Sequence, residues 1–199
     1  MSNKDETSIF VPLKKSAYDI SLLSLDGSEN ILAKNKGKVT MIVNVTGECA
    51  NSEQYLPIQN LYDEYKDLGF EVIAVPSTDF CDDAYGIFKD SNASPENMYE
   101  HMKKKYKTDL PFSELTGIIP EPKAGIEQHE FYKLIQENQF PIEGNFEKII
   151  ISRDGKKTIR FCNSDLLDLA FNAGERKTSS EQALANIKKA IETLLDESI

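Results

Sequence analysis

A nearly continuous apolar run, Val39–Val45, broken only by Thr40 and Asn44, leads through a short polar loop into an amphipathic segment and then into a second apolar run, Phe70–Pro76. Runs of this kind suit strands buried on both faces of a sheet. Between them Tyr55, Ile58, Leu61, Tyr62, Tyr65 and Leu68 recur at helical spacing, with Ser52 as a candidate cap and Gly69 as the stop. Pro57 must lie in the first turn of that helix or kink it. A strand, a helix and a second strand in this order form a parallel pair with a right-handed crossover. The chain is therefore expected to be α/β.

The polar loop carries Cys49, which the flanking pattern puts at a helix N-terminus. Unpaired backbone N–H groups and the positive end of the helix dipole favour thiolate over thiol, and the thiolate is the nucleophile toward peroxides and disulfides. The plainer alternative is a small buried core residue. Elsewhere, Ile20–Leu25, the Asp26-Gly27 turn and Ile31–Ala33 read as an N-terminal hairpin. Ser94-Pro95 opens a helix bearing Met98, Tyr99, Met102 and Tyr106, and Phe131, Leu134 and Ile135 suggest a shorter one. Phe146–Ser152, the Arg153-Asp154-Gly155 turn and Lys157–Cys162 read as a second hairpin. Leu184, Ile187, Ile191, Leu194 and Leu195 mark a C-terminal helix starting at Ser179 or Ser180. Pro111–Gly125 and Asn163–Lys177 read as long loops, and a central mixed sheet flanked by helices follows.

At 199 residues the whole chain, 1–199, is expected to form one domain. The net charge of -10 argues against nucleic acid and anionic membranes as partners, since phosphate recognition needs a basic footprint. The basic runs Lys103–Lys105 and Lys188–Lys189 fall in expected helices and read as solvated faces. The N-terminus lacks an apolar secretory core and no run approaches a membrane span, so a cytoplasmic protein is expected. Cys49, Cys81 and Cys162 are too few and too scattered for a disulfide framework. His101 and His129 do not sit at metal-ligand spacing from a cysteine pair, and no cofactor or metal is expected. A homo-oligomer is left open.

Two signatures resemble the glutathione peroxidase family, which has a thioredoxin-like fold. The first runs from Gly37 through Asn44-Val45, Cys49, Gln54-Tyr55 and Leu61-Tyr62 to Lys66 and Gly69-Phe70. The second is Asn145-Phe146-Glu147-Lys148 followed by Arg153-Asp154-Gly155-Lys156, with Lys105-Tyr106 to Leu110-Pro111-Phe112 between the two. The resemblance covers roughly Ala17 to Phe161. It implies a peroxidase in which Cys49 is the peroxidatic residue and Asn145 the asparagine of the family's catalytic tetrad.

The same resemblance exposes departures. Gly144 stands where the family has tryptophan, and Asp83 falls nearest the place of its glutamine. A carboxylate at Asp83 beside Cys49 would disfavour the thiolate by like-charge repulsion. The implied activity is reduction of hydrogen peroxide or organic hydroperoxides through a Cys49 sulfenic acid, with glutathione or thioredoxin as co-substrate. Thioredoxin-using members carry a resolving cysteine where this chain has Met102, which leaves Cys81 as the candidate resolving residue and Cys162 as inert. The rival reading is a binding or redox-regulatory module that kept the fold and lost turnover. A thiol-disulfide oxidoreductase is disfavoured because Ser52, not cysteine, lies three residues after Cys49.

Overall fold

The computed structural model describes residues 10–80, 94–121, 126–137, 139–170 and 174–198. Strands Val11–Pro12 (β1), Val39–Val45 (β2), Phe70–Pro76 (β3), Lys148–Ile151 (β4) and Lys157–Phe161 (β5) form one sheet in the order β1-β5-β4-β2-β3. β2 and β3 are parallel over their full length, from Val39 opposite Phe70 to Val45 opposite Pro76, and the other pairs are antiparallel. The expected mixed sheet is thus present. Its helices are Tyr55–Tyr65 (α1), Pro95–Tyr106 (α2), Glu130–Gln136 (α3) and Glu175–Leu195 (α4).

All seven residues of β2 are buried. Val39, Met41, Val43 and Val45 join a core with Ile58 and Leu61 of α1, Met98 and Met102 of α2 and Ile187, Ile191 and Leu194 of α4. Ile42 belongs to a second core with Ile73, Ile149, Phe131 and Ile135. The alternation of strand side chains explains this division, because successive residues point to opposite faces. Polar groups inside such a strand need internal partners. Thr40 meets the Tyr18 hydroxyl at 3.0 Å. Asn44 donates from Nδ2 to the Gly144 carbonyl at 2.9 Å, accepts the Glu147 N–H on Oδ1 at 3.1 Å, and its own carbonyl accepts the Phe146 N–H at 2.6 Å. The residue that interrupts the apolar run is therefore the clamp on the turn before β4.

Gly69 ends the helical segment after α1 at φ +94, a conformation that turns the chain directly into β3. Pro57 sits in the first turn of α1, where its missing N–H has no intrahelical role. Ser94 caps α2 by accepting the Asn97 N–H at 3.1 Å. Arg153 ties the β4–β5 turn to the rest of the molecule, donating to the Gly37 and Leu195 carbonyls at 3.0 Å each.

Three expectations need correction. The N-terminal β-hairpin is reduced to a turn with an isolated bridge between Leu23 and Asn30. Its second arm does not continue as a strand, because Asn30 Oδ1 accepts the N–H groups of Leu22 and Ala33 and diverts the chain into a 3-10 turn at Ala33–Asn35. Second, α4 begins at Glu175 rather than Ser179 or Ser180, since its first turns are polar and carry no apolar periodicity. The segment read as a loop from Asn163 to Lys177 accordingly holds a 3-10 turn, Leu167–Ala170, and the start of α4. Third, β1 was not expected; as a two-residue edge strand it leaves no periodic signal.

Replacing Asn44 with alanine would strand the buried Gly144 carbonyl and Glu147 N–H. Urea unfolding is expected to show a loss of about 1–3 kcal/mol. A loss below about 0.5 kcal/mol, the range of ordinary surface changes, would contradict the clamp.

Candidate active site

Cys49 lies between β2 and a 3-10 turn, Ser52–Gln54, that runs straight into α1. The side chain is half-buried and rests on the core beneath it. The Asn51 backbone N–H donates to Sγ at 3.3 Å and the Ser52 hydroxyl donates to it at 3.7 Å. Ser52 Oγ in turn accepts the Cys49 N–H at 3.0 Å. Donors aimed at a sulfur favour its anionic form. Ser52 therefore does not cap α1, as its position had suggested; its hydroxyl closes a small ring onto the cysteine instead.

Beneath the sulfur, Tyr55 is fully buried, stacked on Tyr106 at 5.3 Å and edge-on to Phe146 at 5.0 Å. Burial, with the nearby Cys49 charge adding to it, pushes the Tyr55 hydroxyl well above its ordinary range. It stays neutral and serves as a packed floor. Glu48, the residue before Cys49, is held by His101 at 2.7 Å and Lys105 at 2.8 Å. Those contacts, Lys105 foremost, keep its carboxyl below the usual range and fasten α2 to the cysteine loop. Lys103–Lys105 are all exposed, as the sequence reading of a solvated face expects, and Lys105 adds an exposed ion pair to Glu48.

Asn145 reaches the same place from the other side of the sheet's end. Its carbonyl accepts the Asn51 side-chain amide at 3.3 Å, and both residues line one cavity of about 460 Å³ with Cys49. The following residue, Phe146, is fully buried with φ +70, an unusual conformation for a side chain of that size. Its N–H on Asn44 and its ring on Tyr55 over-determine that geometry. Ala50, Asp79, Phe80, Ile119, Glu143, Gly144 and Asn163 form the remaining walls. Asn51 and Asn163 were not singled out from the sequence; neither carries a motif signal, since their roles come from backbone placement. Of the other expected site residues, Cys81 and Asp83 lie outside the described residues. Cys162 is exposed at the end of β5, and burial, with the Asp165 charge adding to it, raises its thiol above the ordinary value. Met102 is buried in the core. Among the described residues no cluster of histidine, cysteine and carboxylate side chains has the arrangement of a metal site.

Lys148 lies behind this cavity wall. It is fully buried in β4, where Nζ donates to Gln54 Oε1 and to the Cys162 carbonyl at 3.1 Å. Gln54 Nε2 donates to the Asn163 carbonyl at 2.6 Å, so α1, β4 and the segment after β5 are cross-linked. Burial pulls the Lys148 amine down to about 7.

The sequence profile of the glutathione peroxidase family matches residues 17–136. The chain belongs to the glutathione peroxidase family. It is 29% identical over 155 residues to the glutathione peroxidase homolog BsaA of Staphylococcus epidermidis, covering 75% of this chain and 90% of that protein. It is also 29% identical over 154 residues to the chloroplastic phospholipid hydroperoxide glutathione peroxidase 1 of Arabidopsis thaliana, covering 74% of this chain and 60% of that protein. The crystal structure of T. cruzi GPX1 superposes with a TM-score of 0.61 at 22% identity, over 91% of this chain and 97% of that one. A thioredoxin-like superfamily protein, SPOA0173, superposes with a TM-score of 0.54 at 13% identity, over 90% and 97%. The fold is thioredoxin-like, and the chain is a peroxidase of the thiol-dependent kind.

Gly144 and the absent tryptophan now have a structural counterpart. A Cβ at Gly144 would lie 2.2 Å from Asn163 Nδ2, so the space beside Asn145 is already taken by that amide.

The Lys148 amine binds a proton up to about pH 10.5 in the unfolded chain but only to about pH 7 in the folded one, so raising the pH across that window stabilises the fold. In urea unfolding, wild type should gain stability relative to Lys148→Met between about pH 7 and pH 9.5. A difference that stays constant with pH would show that burial does not depress the amine.

Proposed function

We propose that Cys49 is the peroxidatic nucleophile of this enzyme and that Asn145 supports it. The observation that carries this reading is the half-buried sulfur receiving the Asn51 N–H and Ser52 hydroxyl at the edge of a cavity shared with Asn145. The thiolate attacks one oxygen of hydrogen peroxide or an organic hydroperoxide. The S–O bond forms as the O–O bond breaks, and the leaving oxygen departs with the electron pair and is protonated to water or alcohol. Cys49 is left as a sulfenic acid, which a thiol converts to a disulfide with loss of water.

Glutathione or thioredoxin is the proposed source of reducing thiols, in a cytoplasmic setting and from a single domain. Cys81 is the proposed resolving residue for the thioredoxin route, which requires its Cα to come within about 7 Å of that of Cys49. Its sequence neighbour Phe80 lines the Cys49 cavity, which supports the pairing. Met102, in the place of the resolving cysteine of other members, is packed in the core and offers no thiol. Asp83, nearest the place of the family's glutamine, is proposed to slow the attack by like-charge repulsion.

One equivalent of peroxide added to reduced protein should consume the Cys49 thiol, with mass spectrometry showing sulfenic acid or a Cys49–Cys81 disulfide. An unchanged mass at Cys49 over minutes would contradict the reading. In a Cys81→Ser variant, thioredoxin-supported turnover should vanish while glutathione-supported turnover remains. Equal thioredoxin rates in both proteins would remove Cys81 from the mechanism.

A further inference from the structure

Asn163 follows β5 and belongs to no motif, yet its side chain stands in the cavity that holds Cys49 and Asn145. It gets there because residue 144 is glycine. A Cβ on Gly144 would fall 2.2 Å from Asn163 Nδ2 and 3.2 Å from its Cγ, so any larger residue would displace the amide. Gly144 is itself held in place, its carbonyl accepting the buried Asn44 Nδ2 at 2.9 Å.

The amide is also fixed from behind. The Asn163 carbonyl accepts Gln54 Nε2 at 2.6 Å, and the preceding Cys162 carbonyl accepts the buried Lys148 Nζ at 3.1 Å. The Cys162 N–H donates to Asp165 Oδ2 at 2.7 Å. Gln54 belongs to the same helical turn that contains Ser52, so one element positions both the sulfur and Asn163. The Asn51 side chain, by contrast, already donates to the Asn145 carbonyl. Among the described residues no hydrogen bond engages the Asn163 carboxamide.

Attack by a thiolate on a peroxide concentrates negative charge on the departing oxygen. Preorganised N–H donors facing that oxygen lower the barrier, whereas carboxylates raise it. Two carboxylates, Asp79 and Glu143, contribute to the walls here, which leaves the amides to supply the stabilisation. Resting on the peroxidase reading given above, we propose that Asn163 is a catalytic residue whose carboxamide N–H donates to the leaving oxygen as Cys49 attacks. Asn163 gives up no proton; the departing hydroxide or alkoxide takes its proton from water.

Two variants test this without touching Cys49 or Asn145. Asn163→Ala removes the amide, and Gly144→Ala keeps it but pushes it aside, at small structural cost because Nδ2 ends a flexible side chain. For each, the second-order rate of Cys49 oxidation by hydrogen peroxide and the rate of Cys49 alkylation by iodoacetamide are measured at one pH. Alkylation breaks no O–O bond, so it reports sulfur ionisation and access alone. Each variant should lose about one to two orders of magnitude in oxidation while alkylation changes less than about twofold. In the Asn163→Ala background, Gly144→Ala should have no further effect, since the group it displaces is gone. Oxidation and alkylation falling together, or oxidation unchanged in Asn163→Ala, would overturn the assignment. A wild-type Cys49 that alkylates but does not oxidise would overturn the peroxidase reading itself, and the role of Asn163 with it.

Discussion

β2 is covered on both faces, so a polar side chain in its interior has no water to turn to and must find partners among neighbouring backbone groups. Asn44 finds them in the turn 144–147, and that requirement organises the site. One end of the strand leads to Cys49; its penultimate side chain holds the segment that brings Asn145 beside it. A leucine at this position would fill a similar volume and leave the turn unheld. Phe146 could not keep its left-handed conformation without the Asn44 carbonyl on its N–H and Tyr55 against its ring. Cysteine and asparagine, far apart in sequence, are thus placed by the same buried strand.

Two carboxylates near the cysteine loop are held by neighbouring groups, Asp79 through one of its oxygens. Glu48 is occupied by Lys105 and His101, and Asp79 Oδ2 accepts the Ile118 N–H at 2.6 Å and the Ile119 N–H at 3.2 Å. Two neutral groups donate to the sulfur, the Asn51 peptide N–H and the Ser52 hydroxyl. Lys148 is the nearby basic group that is fully buried, and it serves the scaffold. Its bond to Gln54 orients the amide whose other end holds the Asn163 carbonyl. Burial of that amine is tolerated because the two carbonyl acceptors replace part of its lost hydration.

The long-period features were legible from the sequence: the two apolar strands, the α1 face, the Ser94 cap and the β4–β5 hairpin all carry periodicity or turn chemistry. Cys49 and Asn145 were legible through their motifs, and the structure brings them to one cavity. What escaped depends on contacts between distant segments. Asn30 bends the N-terminal turn through its side chain, the polar start of α4 lacks an apolar stripe, and Asn163 enters the cavity only because Gly144 leaves room. The position of Ser52 suggests a helix cap, but its contacts with Cys49 depend on the 3-10 geometry of the loop.

The proposed reactivity of Cys49 depends on hydrogen-bond donors that converge on its sulfur, and Ser52 supplies one that can be removed without breaking the backbone. The decisive measurement is the second-order rate of hydrogen peroxide with Cys49 in wild type, Ser52→Ala and Ser52→Thr, with unfolding midpoints measured alongside. A drop of about tenfold in Ser52→Ala, recovered in Ser52→Thr and unrelated to stability, is the predicted result. An unchanged rate in a folded Ser52→Ala protein would contradict the account.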